Sequence, residues 1–70
     1  MVILFTGTTI RVSNLHKNTQ EADLQETFKP FGKIARIYFE NGKNNDRVQG
    51  YIRYLKKSDA VKAVLMISMI

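Results

Sequence analysis

Apolar residues along this chain change their period several times, and each change marks an element. Thr9 to Ser13 (TIRVS) alternates, with Ile10 and Val12 on one side and Arg11 and Ser13 on the other, which predicts a half-buried strand ended by Asn14 and Leu15. Leu24, Phe28 and Phe31 then recur at i, i+4 and i+7, one stripe of a helix. Asn18 or Thr19 can cap that helix, with Glu21 three residues after Asn18 as a capping-box partner and Asp23 adding negative charge to the first turn. Pro30 lacks the N–H a helix needs and Gly32 permits a sharp change of direction, so the helix is predicted to stop around Lys29.

Ile34 to Glu40 (IARIYFE) reads as a second strand, with Ile37 and Phe39 inward and Arg36, Tyr38 and Glu40 outward. Asn41-Gly42 and the polar run through Asp46 form a loop, and Arg47 to Tyr54 alternates again as a third strand. Ser58 is placed to cap a second helix whose inward stripe is Ala60, Ala63, Val64 and Ile67. The order β-α-β-β-α gives an α+β domain in which both helices cover one face of the sheet and leave the other open.

Composition narrows the possibilities. The 70 residues make one domain, and 44% apolar against 24% charged residues is a globular balance with material for one core. Cysteine is absent, which excludes a disulfide scaffold, a zinc finger and a thiolate nucleophile. His16 is the lone histidine, expected in a solvated loop, so the sequence offers no convergent donors for a metal or for acid–base chemistry, and no cofactor is expected. Met1 to Phe5 is apolar but far shorter than the roughly 20 residues of a membrane span, and a cytosolic or nuclear location is expected. The net charge of +5 favours a polyanionic partner only weakly, and where the cations lie matters more than their sum.

Their place is the open sheet face. Alternation puts Arg11 and Ser13 from the first strand there, Arg36 and Tyr38 from the second, and Arg47, Gln49, Tyr51 and Arg53 from the third. Single-stranded RNA presents unstacked bases and a charged backbone, and such a face supplies planes for stacking and cations for phosphate. Surface strands also carry Arg and Tyr for solubility and β-propensity, so composition alone leaves both readings open.

The spacing of the motifs resembles the RNA-recognition motif family over roughly positions 9 to 67. The hexamer Ile10-Arg11-Val12-Ser13-Asn14-Leu15 is similar to the family's first-strand motif. The octamer Arg47-Val48-Gln49-Gly50-Tyr51-Ile52-Arg53-Tyr54 is similar to its third-strand motif at the basic first, small fourth, aromatic fifth, aliphatic sixth and aromatic eighth places. Asp23-Leu24, Phe28, Phe31-Gly32 and Ile34 fall where that family keeps helix and turn residues. The resemblance implies a ferredoxin-like sandwich that binds RNA and is not an enzyme. Catalysis on such a scaffold would need a glycine-rich donor loop, and the candidate stretch, Asn14 to Asn18, has no glycine. Within the family, TIRVSNL (9–15), EADLQETFKPFGKI (21–34) and ARIYF (35–39) resemble the branch found in a eukaryotic translation initiation factor. That likeness implies messenger or ribosomal RNA, other initiation-factor subunits and the small ribosomal subunit as partners.

Departures from the pattern fall on base-contacting positions. Arg11 stands at a usual aromatic place, Gln49 replaces another, and Val48 replaces a glycine, so Tyr51 is left as the stacking residue of the usual three. With stacking worth roughly 1–3 kcal/mol per base, weak RNA affinity is expected unless Arg11 acts as a planar partner. An alternative is a domain that kept the fold and serves as a protein-interaction module. The chain also stops where the family's fourth strand would begin, and two readings of residues 1–8 follow. Either the arm folds back through a type II′ turn at Gly7-Thr8, pairing Phe5 with Ile10 and Ile3 with Val12 on the core side, or residues 9–70 form a truncated domain with artificial ends.

Overall fold

The computed structural model describes residues 2–42 and 46–68; the centre of the expected polar loop at 43–45, Met1 and the last two residues lie outside them. The elements are β1 (Val2–Thr6), β2 (Thr9–His16), α1 (Glu21–Phe28), a single 3-10 turn (Lys29–Phe31), β3 (Ile34–Asn41), β4 (Arg47–Tyr54) and α2 (Lys57–Ser68). The strands form one antiparallel sheet in the order β1-β2-β4-β3. The N-terminal arm therefore supplies the fourth strand. It pairs Ile3 with Val12 and Phe5 with Ile10 across a two-residue connection closed by Thr6 and Thr9. Gly7 has φ +60°, while Thr8 is not among the residues with positive φ, the pattern of a type II′ rather than a type I′ turn.

Alternation along the strands drives the helix-side face together. Ile10, Val12, Ile52, Tyr54, Leu24, Phe28, Ala60 and Ala63 are buried, and Ile3, Leu15, Phe31, Ile34, Ile37, Val64 and Ile67 pack around them. The expected stripes on both helices are thus the packed ones. Phe5 pairs with Ile10 and shares Ile3's side of β1, but near the end of the strand it keeps 42% of its surface exposed and is not among the residues packed around the core. Tyr54 lies inside with its hydroxyl donating to the carbonyl of Phe28, which ties β4 to the end of α1 and satisfies the one polar atom of that ring.

Three local expectations are corrected. The first helix is capped at Gln20, whose N–H donates to Asp23 Oδ2 at 2.8 Å, because the N–H groups of Asn18 and Thr19 turn back onto His16 at its Nδ1 (3.1 Å) and carbonyl (2.9 Å). Ser58 lies inside α2, and the carbonyl of Lys56 accepts from Asp59 and Ala60 to open that helix. The first of the expected strands does not end at Asn14 but continues to His16 through a bulge. Val12 faces Gly50 and Leu15 faces Val48, so two residues on β2 oppose Gln49 alone, and Asn14 adopts φ 63° to make the extra step. The bulge reverses the alternation and returns Leu15 to the core. A second irregularity between Ile34 and Arg36 does the same for β3, bringing both Ile34 and Ile37 inward.

Gly50 sits where β4 passes beneath α1. A methyl group there would stand 2.6 Å from Leu24 Cδ1 and 3.1 Å from Leu15 Cδ1, so the helix approaches the sheet this closely only over a residue without a side chain.

Candidate nucleic-acid interface

Among the described residues no helix covers the other face of the sheet, and its side chains stand in rows fixed by strand register. One row runs Leu4, Arg11, Tyr51, Tyr38 across all four strands; the next runs Thr6, Thr9, Arg53, Arg36. Toward the opposite end, Gln49 is paired with Glu40, Ser13 is one of the two bulge residues, and Arg47 is paired with His16. All eight residues expected on this face are on it, but they do not form one cluster. Arg11, Tyr38 and Tyr51 line a common cleft, Arg36 reaches onto its flank, Arg53 stands in the adjoining row, and Ser13, Gln49 and Arg47 extend the face beyond it.

The two tyrosines occupy opposed positions on β3 and β4, and their rings stack with centroids 4.7 Å apart and planes 7° from parallel. That separation matches the spacing of neighbouring strands, about 4.8 Å, so the rings stand up from the sheet side by side. Each covers one face of the other. The Arg36 guanidinium carbon lies 4.9 Å from the Tyr38 ring centroid, adding a cation–π contact of roughly 0.5–1 kcal/mol at such an exposed site. A planar, positively charged block, Arg36 with Tyr38 with Tyr51, is thereby assembled before any ligand arrives.

The cleft beside this block has a volume of about 420 Å³ and is lined by Leu4, Thr6, Thr9, Arg11, Tyr38 and Tyr51. Half of its lining was not identified from sequence: Leu4 and Thr6 belong to the arm, and Thr9 opens β2. The signal was the pairing of Phe5 with Ile10, which places Leu4 opposite Arg11 and Thr6 opposite Thr9 on the open side. His16, expected in a loop, ends β2 opposite Arg47. Among the described residues, no group of three or more His, Asp or Glu side chains is arranged to hold a metal ion, and no helix is long and apolar enough to cross a membrane.

Arrangements of this kind, with two helices behind an antiparallel sheet and Arg and Tyr in front, agree with the comparisons to known proteins. The family model of the RNA recognition motif matches residues 10–68. The chain is 45% identical over 62 residues to the G subunit of eukaryotic translation initiation factor 3 from Danio rerio, covering 86% of this chain and 21% of that protein. It is 44% identical over 62 residues to the protein of the same name in Homo sapiens, covering 86% and 19%. The chain spans about a fifth of the length of these relatives. With a family match over most of its length and the sheet and helices that family requires, the chain belongs to the RNA recognition motif family.

Proposed function

We propose that this domain binds single-stranded RNA, messenger or ribosomal, on its helix-free sheet face, as a module of a translation initiation factor 3 complex acting in the cytoplasm at the small ribosomal subunit. The observation that carries the reading is the preassembled Arg36–Tyr38–Tyr51 block beside Arg11, which offers a π-face and cations within one cleft. In this reading Tyr51 stacks a base, Arg11 stacks or holds phosphate, and Arg36, Arg47 and Arg53 supply charge along the strand's path. Tyr38 braces Tyr51, while Ser13 and Gln49 offer hydrogen bonds beyond the cleft. The role is binding and not catalysis. The likeness to the initiation-factor proteins of fish and human supports placement among other subunits of that factor.

Affinity should be low because the mutual stacking of the tyrosines leaves a single free face on Tyr51. Titration of the domain with a single-stranded and a duplex RNA of equal length tests the reading. Single strands should bind better, with log K falling by about 2–3 per tenfold rise in salt if three or four phosphates are neutralised. Equal binding of duplex RNA, or an affinity indifferent to salt, would overturn it. The tyrosine pair, already satisfied by itself, also suits a second reading in which this face docks on a protein; no RNA affinity together with capture of another initiation-factor protein would be its signature.

A further inference from the structure

The cleft has two walls from the family's own strands and a third from outside them. Leu4 and Thr6 precede residue 10, where the family match begins, yet they line the cleft with Thr9, Arg11, Tyr38 and Tyr51. We infer that the N-terminal arm is part of the binding site, and that Leu4, Thr6 and Thr9 complete a pocket for one unpaired nucleotide of RNA. This rests on the sheet-face reading above.

Register and stacking lead to it together. Tyr38 occupies one face of Tyr51, and the other faces toward β2, where Arg11 is the directly opposed residue and Leu4 lies one strand further on. A base that stacks on Tyr51 therefore enters between Tyr51 and the arm and stands parallel to the rings. It does not lie flat on the sheet, because the tyrosines themselves stand upright. Leu4, 49% exposed, gives the apolar surface for the base's far side. Thr6 and Thr9 are opposed at the cleft's edge, and each hydroxyl both donates and accepts, so the pair can meet either kind of group on a base edge. Arg11 offers donors only and suits phosphate or an acceptor edge. A volume of about 420 Å³ is in the range of pockets that enclose a small ligand, and it is ample for a nucleotide. An edge strand serving only to cover β2 would need no polar pair and no apolar side chain aimed at this face.

Binding of the four single-stranded homopolymers to the whole chain tests the inference, with Leu4→Ala, Thr6→Val and Tyr51→Ala compared against the wild type. Leu4 and Thr6 are exposed on an edge strand, and Thr6→Val keeps the β-branched shape, so circular dichroism should show the fold unchanged. Leu4→Ala should weaken binding about tenfold, as for a pocket losing apolar contact. Thr6→Val should compress the ranking of the four homopolymers, since the hydroxyl reads the base edge. Ultraviolet crosslinking of the wild type should place RNA on residues 4–6, read by fragment sequencing within the tryptic peptide 1–11. Arm variants that match the wild type while Tyr51→Ala loses binding, or crosslinks that fall on Arg11 or Tyr51 and avoid residues 4–6, would overturn the arm's role and leave the sheet-face reading intact. A wild type that binds none of the homopolymers would overturn both.

Discussion

Tyr54 shows how a single residue can belong to a binding motif and yet serve the fold. It closes the octamer 47–54, but alternation turns it inward, where it is 1% exposed and donates to the Phe28 carbonyl. Burial, with the nearby Asp59 carboxylate second, pushes its phenol from 10.0 up to about 12. Below pH 10 the phenol is protonated in folded and unfolded chains alike. Between pH 10 and 12 only the unfolded chain ionises, so unfolding releases a proton and stability falls as pH rises, by roughly 1.4 kcal/mol per pH unit. Tyr54→Phe should remove that slope while costing about 0.5–1.5 kcal/mol for the lost hydrogen bond at neutral pH. Denaturant melts of both proteins from pH 8 to 12 check it, because their difference isolates Tyr54 from every other titrating group. Tyr51 is the opposite case. Tyr51→Ala should reduce RNA affinity by about 1–3 kcal/mol and stability by no more than the roughly 0.5–1.5 kcal/mol of its stack on Tyr38. Binding curves and thermal melts on this one variant separate the two losses.

At the scale of elements, what was legible depended on whether a local pattern had one meaning. β4 alternates without interruption, so the facing of Arg47, Gln49, Tyr51 and Arg53 followed from the sequence. β2 changes parity at Asn14, and a period of two cannot be continued through a bulge, which is why the strand read as ending there. Ile3, Leu4 and Phe5 are all apolar, so alternation in the arm was silent. Its facing came from the Gly7 turn and the register it sets, and the half of that register pointing to the open side carried the missed cleft residues. The tyrosine stack needed the β3–β4 register across a loop, and no local signal in IARIYFE fixes it. The helix cap was missed because Asn18 and Thr19 are favoured cap types and Gln20 is not, while the turn onto His16 moves the helix start past both of them. Close packing gives an element-scale prediction at Gly50. Gly50→Ala leaves the outward face untouched but drives a methyl group into buried Leu24, and should cost about 1–3 kcal/mol by overpacking. Leu24→Ala in the same chain should recover part of that loss, which a double-mutant cycle of denaturant midpoints would measure.

For the whole molecule, the decisive feature is that β1, which precedes the residues matched by the family, closes the sheet beside β2. A domain of 70 residues has about 4–10 kcal/mol of stability to lose, so each edge matters. With β1 in place the sheet's edges are β1 and β3, and β2 with its Arg11 is interior. Removing residues 1–6 would move an edge onto β2, expose backbone donors and acceptors along Thr9 to Val12, and strip Ile3 from the core. Unpaired groups on a strand that is apolar on one side are a template for another chain. The shortened protein should therefore melt well below the full one and associate as its concentration rises, while amides of Ile3 to Phe5 in the full chain that bond to β2 should be protected from hydrogen exchange. Sedimentation across a concentration series reports the association, and exchange followed by mass spectrometry or NMR reports the protection. Arm amides exchanging at random-coil rates, with a shortened chain as stable and as monomeric as the full one, would mean that β1 contributes nothing to the fold. The cleft would then have to be built by β2, β3 and β4 alone.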